Sequence, residues 1–173
     1  MDAMSYWQER HGLRYYQTIK RWLDDLSPGE LLIDVGGRDT PIATWGTFRR
    51  RVCVEIAPVL QPRPGVDYQL ADWLECRPAE ADVITCCQVL EHLDDSTVGP
   101  FARKLLAYSR HAIVSVPYRW AKGSCIGHKQ DPVDLRTLCG WARCEPIKHV
   151  IVRDGRPRLV ALFRGAVGAR GGA

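Results

Sequence analysis

The chain has 173 residues, 46% of them hydrophobic and 25% charged, with a net charge of +4. That length suits one domain of about 100–200 residues, and the composition is globular, not disordered or coiled-coil. The charge excess is small and scattered and does not by itself argue for nucleic acid. No apolar run reaches the roughly 18 residues of a membrane helix, and Met1 to Ser5 show no basic-then-apolar leader, so no membrane association and a cytoplasmic address are expected.

In chain order, Leu13, Tyr16, Ile19, Leu23 and Leu26 recur every three or four residues and predict an amphipathic helix, ended by Ser27-Pro28-Gly29. Leu31 to Val35 is a short apolar run closed by Gly36-Gly37, a buried strand and a tight turn, with a helix expected after it. Arg51 to Ile56 is a second strand, Val66 to Ala71 a weaker third, and Asp82 to Cys87 a fourth. Val98, Phe101, Leu105 and Tyr108 stripe the next helix, and His111 to Val116 is a fifth strand. A further helix is expected from Pro132 with Asp131 as its cap. Ile147 to Val152 and Arg158 to Phe163 flank a turn at Asp154-Gly155 and read as a hairpin. Strands alternating with helical patterns imply a doubly wound, mostly parallel α/β sheet, to which the hairpin adds an antiparallel edge. The organisation expected is a helical segment over residues 1–28, a core over 29–164 and a small-residue, flexible tail over 165–173.

The seven cysteines are an odd count without a secretory signal and read as thiols. Cys125, His128, Cys139 and Cys144 are zinc-type donors but lack the glycine-rich turns of a metal knuckle, so no metal is expected. Glu91, Asp94 and Asp95 form the local carboxylate cluster, with a plainer reading as a helix start at Ser96.

In an open α/β sheet, ligands bind at the carboxyl ends of the strands. Four features fall there. Asp34-Val-Gly36-Gly37 follows the first strand, and glycine there lets backbone approach a ligand. Glu55 ends the second, where a carboxylate can accept from two ribose hydroxyls. Asp72-Trp73 follows the third, an acid for an exocyclic amine and a ring for a base. Gln88-Val-Leu-Glu91-His92 follows the fourth. Each has a plainer reading as a turn, a solvated acid or a local cap; their joint order carries the weight.

That order resembles the class I S-adenosylmethionine-dependent methyltransferases, nearest in character to those acting on small molecules or sugars. The matching strings are Leu-Leu-Ile-Asp34-Val-Gly36-Gly37, Val-Cys-Val-Glu55, Leu-Ala-Asp72-Trp73 and Asp82-Val-Ile-Thr-Cys-Cys-Gln88-Val-Leu-Glu91-His92-Leu. The resemblance covers residues 31–163. It implies a seven-stranded sheet in the order 3-2-1-4-5-7-6 and S-adenosylmethionine as cofactor. It implies cofactor contacts at Asp34, Gly36, Gly37, Arg38, Glu55, Ile56, Asp72, Trp73, Gln88 and His92, and an N-terminal helix with Tyr16 over the cofactor. The chain departs from the family's Asp-x-Gly-x-Gly-x-Gly in having Arg38-Asp39-Thr40-Pro41 after its first two glycines. It also lacks the Gly-x-Gly-x-x-Gly of dinucleotide enzymes.

The stretch from Pro117 to Asp131 is a long loop at the same sheet edge. Within it His128 is the candidate general base, with Asp131 three residues on to orient it. Tyr118, Arg119 and Trp120 are candidate acceptor contacts: aromatic faces for planar or sugar rings, and a cation for an anion. Cys86-Cys87-Gln88 stands where base N-methylases carry Asn/Asp-Pro-Pro-aromatic, which disfavours a nucleic-acid acceptor. A hydroxyl of a small molecule or glycan is the expected acceptor. An RNA- or protein-directed enzyme and an inactive partner protein of the same fold are the alternatives. The short connections leave the acceptor side open, for a bulky acceptor or a second subunit in a homodimer.

Overall fold

A computed structural model describes residues 6–168. The chain runs α1 (Tyr6–Arg10), α2 (Arg14–Leu26), β1 (Gly29–Val35), β2 (Phe48–Glu55), β3 (Asp67–Leu70), β4 (Ala81–Cys87), α3 (Asp95–Ala107), β5 (Ser109–Pro117), α4 (Leu135–Ala142), β6 (Lys148–Val152) and β7 (Arg158–Arg164). The seven strands form one sheet in the order 3-2-1-4-5-7-6. β1 to β5 are parallel, and β7 lies antiparallel between β5 and β6. This is the predicted sheet, closed by the predicted hairpin, with Gly155 at φ +78° in its turn.

The central strands are apolar on both faces because helices cover both. Leu31, Ile33 and Val35 of β1 and Ala112, Val114 and Val116 of β5 point to the face packed by α3 and α4. Leu32 and Ile113, one residue out of phase, point to the other face. There they meet Tyr15, Ile19 and Leu23 of α2, one helical stripe four residues apart and fully buried. So α2 is a structural layer of the sheet. α1 is the part of residues 1–28 that crosses the loop after β1: Trp7 N–H donates to Asp39 Oδ2 at 3.2 Å, and the Arg38 guanidinium lies over the Tyr6 ring at 5.0 Å.

Three expectations change. The helix expected after Gly36-Gly37 is a single 3-10 turn, Ile42–Thr44. Ile42, Ala43 and Trp45 are the apolar residues packed there, too few and too close to Gly46 for a longer amphipathic helix. The helix expected from Pro132 starts at Leu135, and its cap is Asp134, whose Oδ1 accepts from Thr137 N at 2.9 Å. Asp131 is thereby free for another partner. The start of the expected flexible tail is tied down: Gly165, Ala166 and Val167 N–H groups donate to the carbonyls of Arg110, Leu106 and Ser109 at 2.8, 2.8 and 3.0 Å. Residues 1–5 and 169–173 lie outside the described residues. Among the described residues no helix is long and apolar enough to cross a membrane.

Candidate active site

Backbone in the left-handed region gathers where the parallel strands end. Gly36 (φ +75°) and Arg38 (φ +51°) follow β1, Gln88 (φ +59°) follows β4 and Arg119 (φ +53°) follows β5. Non-glycine residues adopt this conformation at a cost, and such residues concentrate at functional sites. A side chain on Gly36 would collide with Val89, so glycine there lets the β1 and β4 turns close together.

Between these turns and β2 lies a cleft of about 180 Å³, bordered by Gly36, Glu55, Ile56, Asp72, Trp73 and Val89. Glu55 is 8% exposed and accepts a hydrogen bond from Arg38 N–H; burial raises its pKa. Ile56 is 77% exposed, an apolar side chain standing in solvent at the cleft mouth. Asp72 does the local work of its plainer reading, its Oδ1 accepting from Leu74 N at 2.8 Å. Trp73 is buried and forms the floor, with its ring against Phe101 at 6.3 Å and the Lys104 ammonium at 5.4 Å. Asp34 lies beneath the glycine turn, where its Oδ1 accepts from Thr85 Oγ1 at 2.6 Å. A side chain on Gly37 would strike its other oxygen. Gln88 turns toward β5, donating from Nε2 to Ser115 Oγ at 3.2 Å.

Beyond the β4 turn, the loop after β5 folds back across the sheet edge. Its Lys129 and Gln130 N–H groups both donate to the Glu91 carbonyl, at 2.8 and 3.2 Å. Gln130 Nε2 reaches Leu93 O and Asp95 Oδ1, and Lys129 Nζ reaches Asp94 Oδ1. Asp94 and Asp95 thus hold the loop. The loop brings His128, its side chain 6% exposed, to Asp131: Nδ1 donates to Oδ2 at 2.8 Å. Trp120 stacks on the His128 ring at 5.5 Å and 15°, and His92 meets it edge-on at 4.8 Å. Trp120 is fixed from behind, Nε1 donating to Pro157 O at 2.7 Å. Tyr118 N–H donates to the same carbonyl at 2.9 Å, while Arg119 reaches toward Asp134 at 3.5 Å.

Two residues gain weight that the sequence did not give them. Glu91 is 1% exposed, neither carboxylate oxygen has a hydrogen-bond partner in another residue, and burial pushes its pKa up to about 8. Arg158 of β7 is buried between the Tyr15 and Trp120 rings, and its charge acts on Glu91. Nothing in the local sequence signals Arg158, because it reaches the site only through the antiparallel β7. The zinc-type residues do not assemble: Cys139 bonds Glu145, Cys144 is exposed, and all seven cysteines are free.

No protein-family model matches the sequence, and no curated protein matches it. Solved structures do. The chain is similar to the N-methyltransferase NodS from Bradyrhizobium japonicum WM9 in complex with S-adenosylhomocysteine, with TM-score 0.70 and 17% identity, covering 95% of this chain and 93% of that one. It has the fold of a class I S-adenosylmethionine-dependent methyltransferase. It is also similar to magnesium protoporphyrin IX methyltransferase from Synechocystis PCC 6803 with bound S-adenosylhomocysteine, with TM-score 0.67, 15% identity and coverage of 96% and 90%. The mitomycin 7-O-methyltransferase MmcR aligns with TM-score 0.60 and 15% identity, over 95% of this chain and 62% of that one.

Proposed function

We propose that the chain is an S-adenosylmethionine-dependent methyltransferase that moves a methyl group to a hydroxyl of a small molecule or sugar. The residues fit the cofactor. Glu55 is a strand-end carboxylate for the ribose hydroxyls, and exposed Ile56 is an apolar cover for a flat base. The cofactor supplies a methyl on positively charged sulfur. The chain has to place an acceptor oxygen in line with that carbon and dispose of its proton.

The observation that carries the hydroxyl reading is the His128–Asp131 pair at the edge of the cofactor turn. With Asp131 holding Nδ1–H, the His128 ring, packed by Trp120 and His92, keeps its lone pair on Nε2. As the new O–C bond forms and the C–S bond breaks, the hydroxyl proton passes to Nε2. Trp120 stacks on His128 and carries the Arg156 guanidinium over its ring at 3.6 Å, which holds the base in place. The neighbours methylate different atoms, so the acceptor class rests on this chain's own residues.

Calorimetry with S-adenosylhomocysteine and acceptor screening with labelled cofactor test the reading together. Glu55→Ala should weaken cofactor product binding ten- to a hundredfold, the value of a charged hydrogen bond of roughly 1.5–3 kcal/mol. His128→Ala should leave that affinity within a factor of about three and lower turnover by about 10²–10⁴. No binding at millimolar product, or unchanged turnover in His128→Ala, would sink the enzyme or the base respectively.

A further inference from the structure

The turn after β4 and the loop after β5 bring three side chains to one point. Glu91, His92 and His128 each offer a donor atom, and these atoms lie within 4.8 Å of one another. The neighbours decide which nitrogen each ring presents. His128 Nδ1 faces the Asp131 carboxylate and His92 Nδ1 faces the Gly127 carbonyl at 3.0 Å. Both partners accept, so we assign the hydrogen to Nδ1 and a lone pair to Nε2 in each neutral ring. Imidazoles oriented in this way, by a carboxylate and by a backbone carbonyl, are how proteins present histidine to a metal. The third donor is the buried Glu91, whose two oxygens have no hydrogen-bond partner in any other residue. A buried carboxylate without a partner is costly, and a cation between it and the two rings removes that cost. Arg158, the positive charge that acts on Glu91, is hydrogen-bonded to the Arg156 carbonyl instead.

We propose that Glu91, His92 and His128 bind one divalent cation of the first transition row, with open positions left for the acceptor. Two nitrogens and one oxygen suit manganese, iron, cobalt or zinc better than magnesium, which takes oxygen ligands. Ligand bonds of roughly 2.0–2.2 Å draw the three donors somewhat closer than they stand. His92, exposed at the open end, has room to move inward. This keeps the methyl transfer to a hydroxyl of the reading above and rests on it for the cation's purpose, though not for its binding; it replaces His128 as the base. With the cation in place, the Nε2 lone pair of His128 goes to the metal. A hydroxyl oxygen on an open position becomes more acidic and releases its proton to water before attacking the methyl carbon.

The test uses the full chain without cofactor or acceptor. Manganese binding followed by electron paramagnetic resonance should show one ion per chain, and nitrogen modulation of the spin echo from two imidazoles. Glu91→Gln and His128→Asn should each weaken it at least tenfold without moving the thermal melt by more than a few degrees. The nitrogen signal is read on the unaltered protein, so a variant that fails to fold does not remove the test. No binding at millimolar manganese, full-affinity binding by Glu91→Gln, or thiolate charge-transfer bands on loading cobalt would overturn the site. Methyl transfer that proceeds equally in metal-free protein would overturn the cation's part in the reaction and leave the reading above standing. A bound ion with no transfer to any acceptor would do the reverse.

Discussion

Asp34 is a carboxyl group 1% exposed at the end of β1, with one oxygen satisfied by Thr85 and the other without a partner. Burial pushes its pKa from the ordinary 3.8 up to about 7. The folded state therefore holds a proton that the unfolded chain gives up. The stability from this group is complete below about pH 4 and is lost as the pH rises through about 7. Asp34→Asn removes the titration while keeping the shape and the Thr85 hydrogen bond. Its melting temperature relative to the parent should therefore be higher at pH 8 than at pH 5; a constant difference would refute this account. At the same scale, Glu55, Gly36 and the His128–Asp131 pair were legible in the sequence, since residue type and strand-end position suffice to nominate them. The inward turn of Asp34 and the left-handed Arg38, Gln88 and Arg119 were not, because they follow from how loops close over one another.

The elements show the same division. α2 was readable because its apolar residues recur at helical spacing, but its role was not. It is a layer of the sheet, with Leu23 fully buried against the face that carries Leu32, Val83 and Ile113. Leu23→Ala should cost about 2–5 kcal/mol in denaturant unfolding, with an unchanged slope. A cost below about 1 kcal/mol would mean that the N-terminal segment only lies over the core. The start of α4 was misread because Asp131-Pro132 and Asp134-Leu135 both offer a capping acid. Side-chain capping decides for Asp134, a contribution of about 1 kcal/mol. That choice leaves Asp131 to hold His128.

For the whole molecule, the mostly parallel sheet and its antiparallel edge were legible from apolar runs and a hairpin with a glycine turn, while the strand order came from the family resemblance. What no local pattern contained is the meeting of Glu91 and His92 with His128, 36 residues further on, which depends on a loop folding back over the sheet edge. That fold-back has a mechanical consequence. Val89 borders the cofactor cleft, and Glu91, two residues along the same turn, carries the loop on its carbonyl. One short piece of backbone thus serves as a common footing for the proposed donor and recipient compartments. Whatever steadies it from one side spares the other side that work, and thermodynamic reciprocity makes the two benefits equal. Manganese should therefore tighten S-adenosylhomocysteine binding, and S-adenosylhomocysteine should tighten manganese binding by the same factor. Identical titrations with and without the second ligand would show the compartments to be independent.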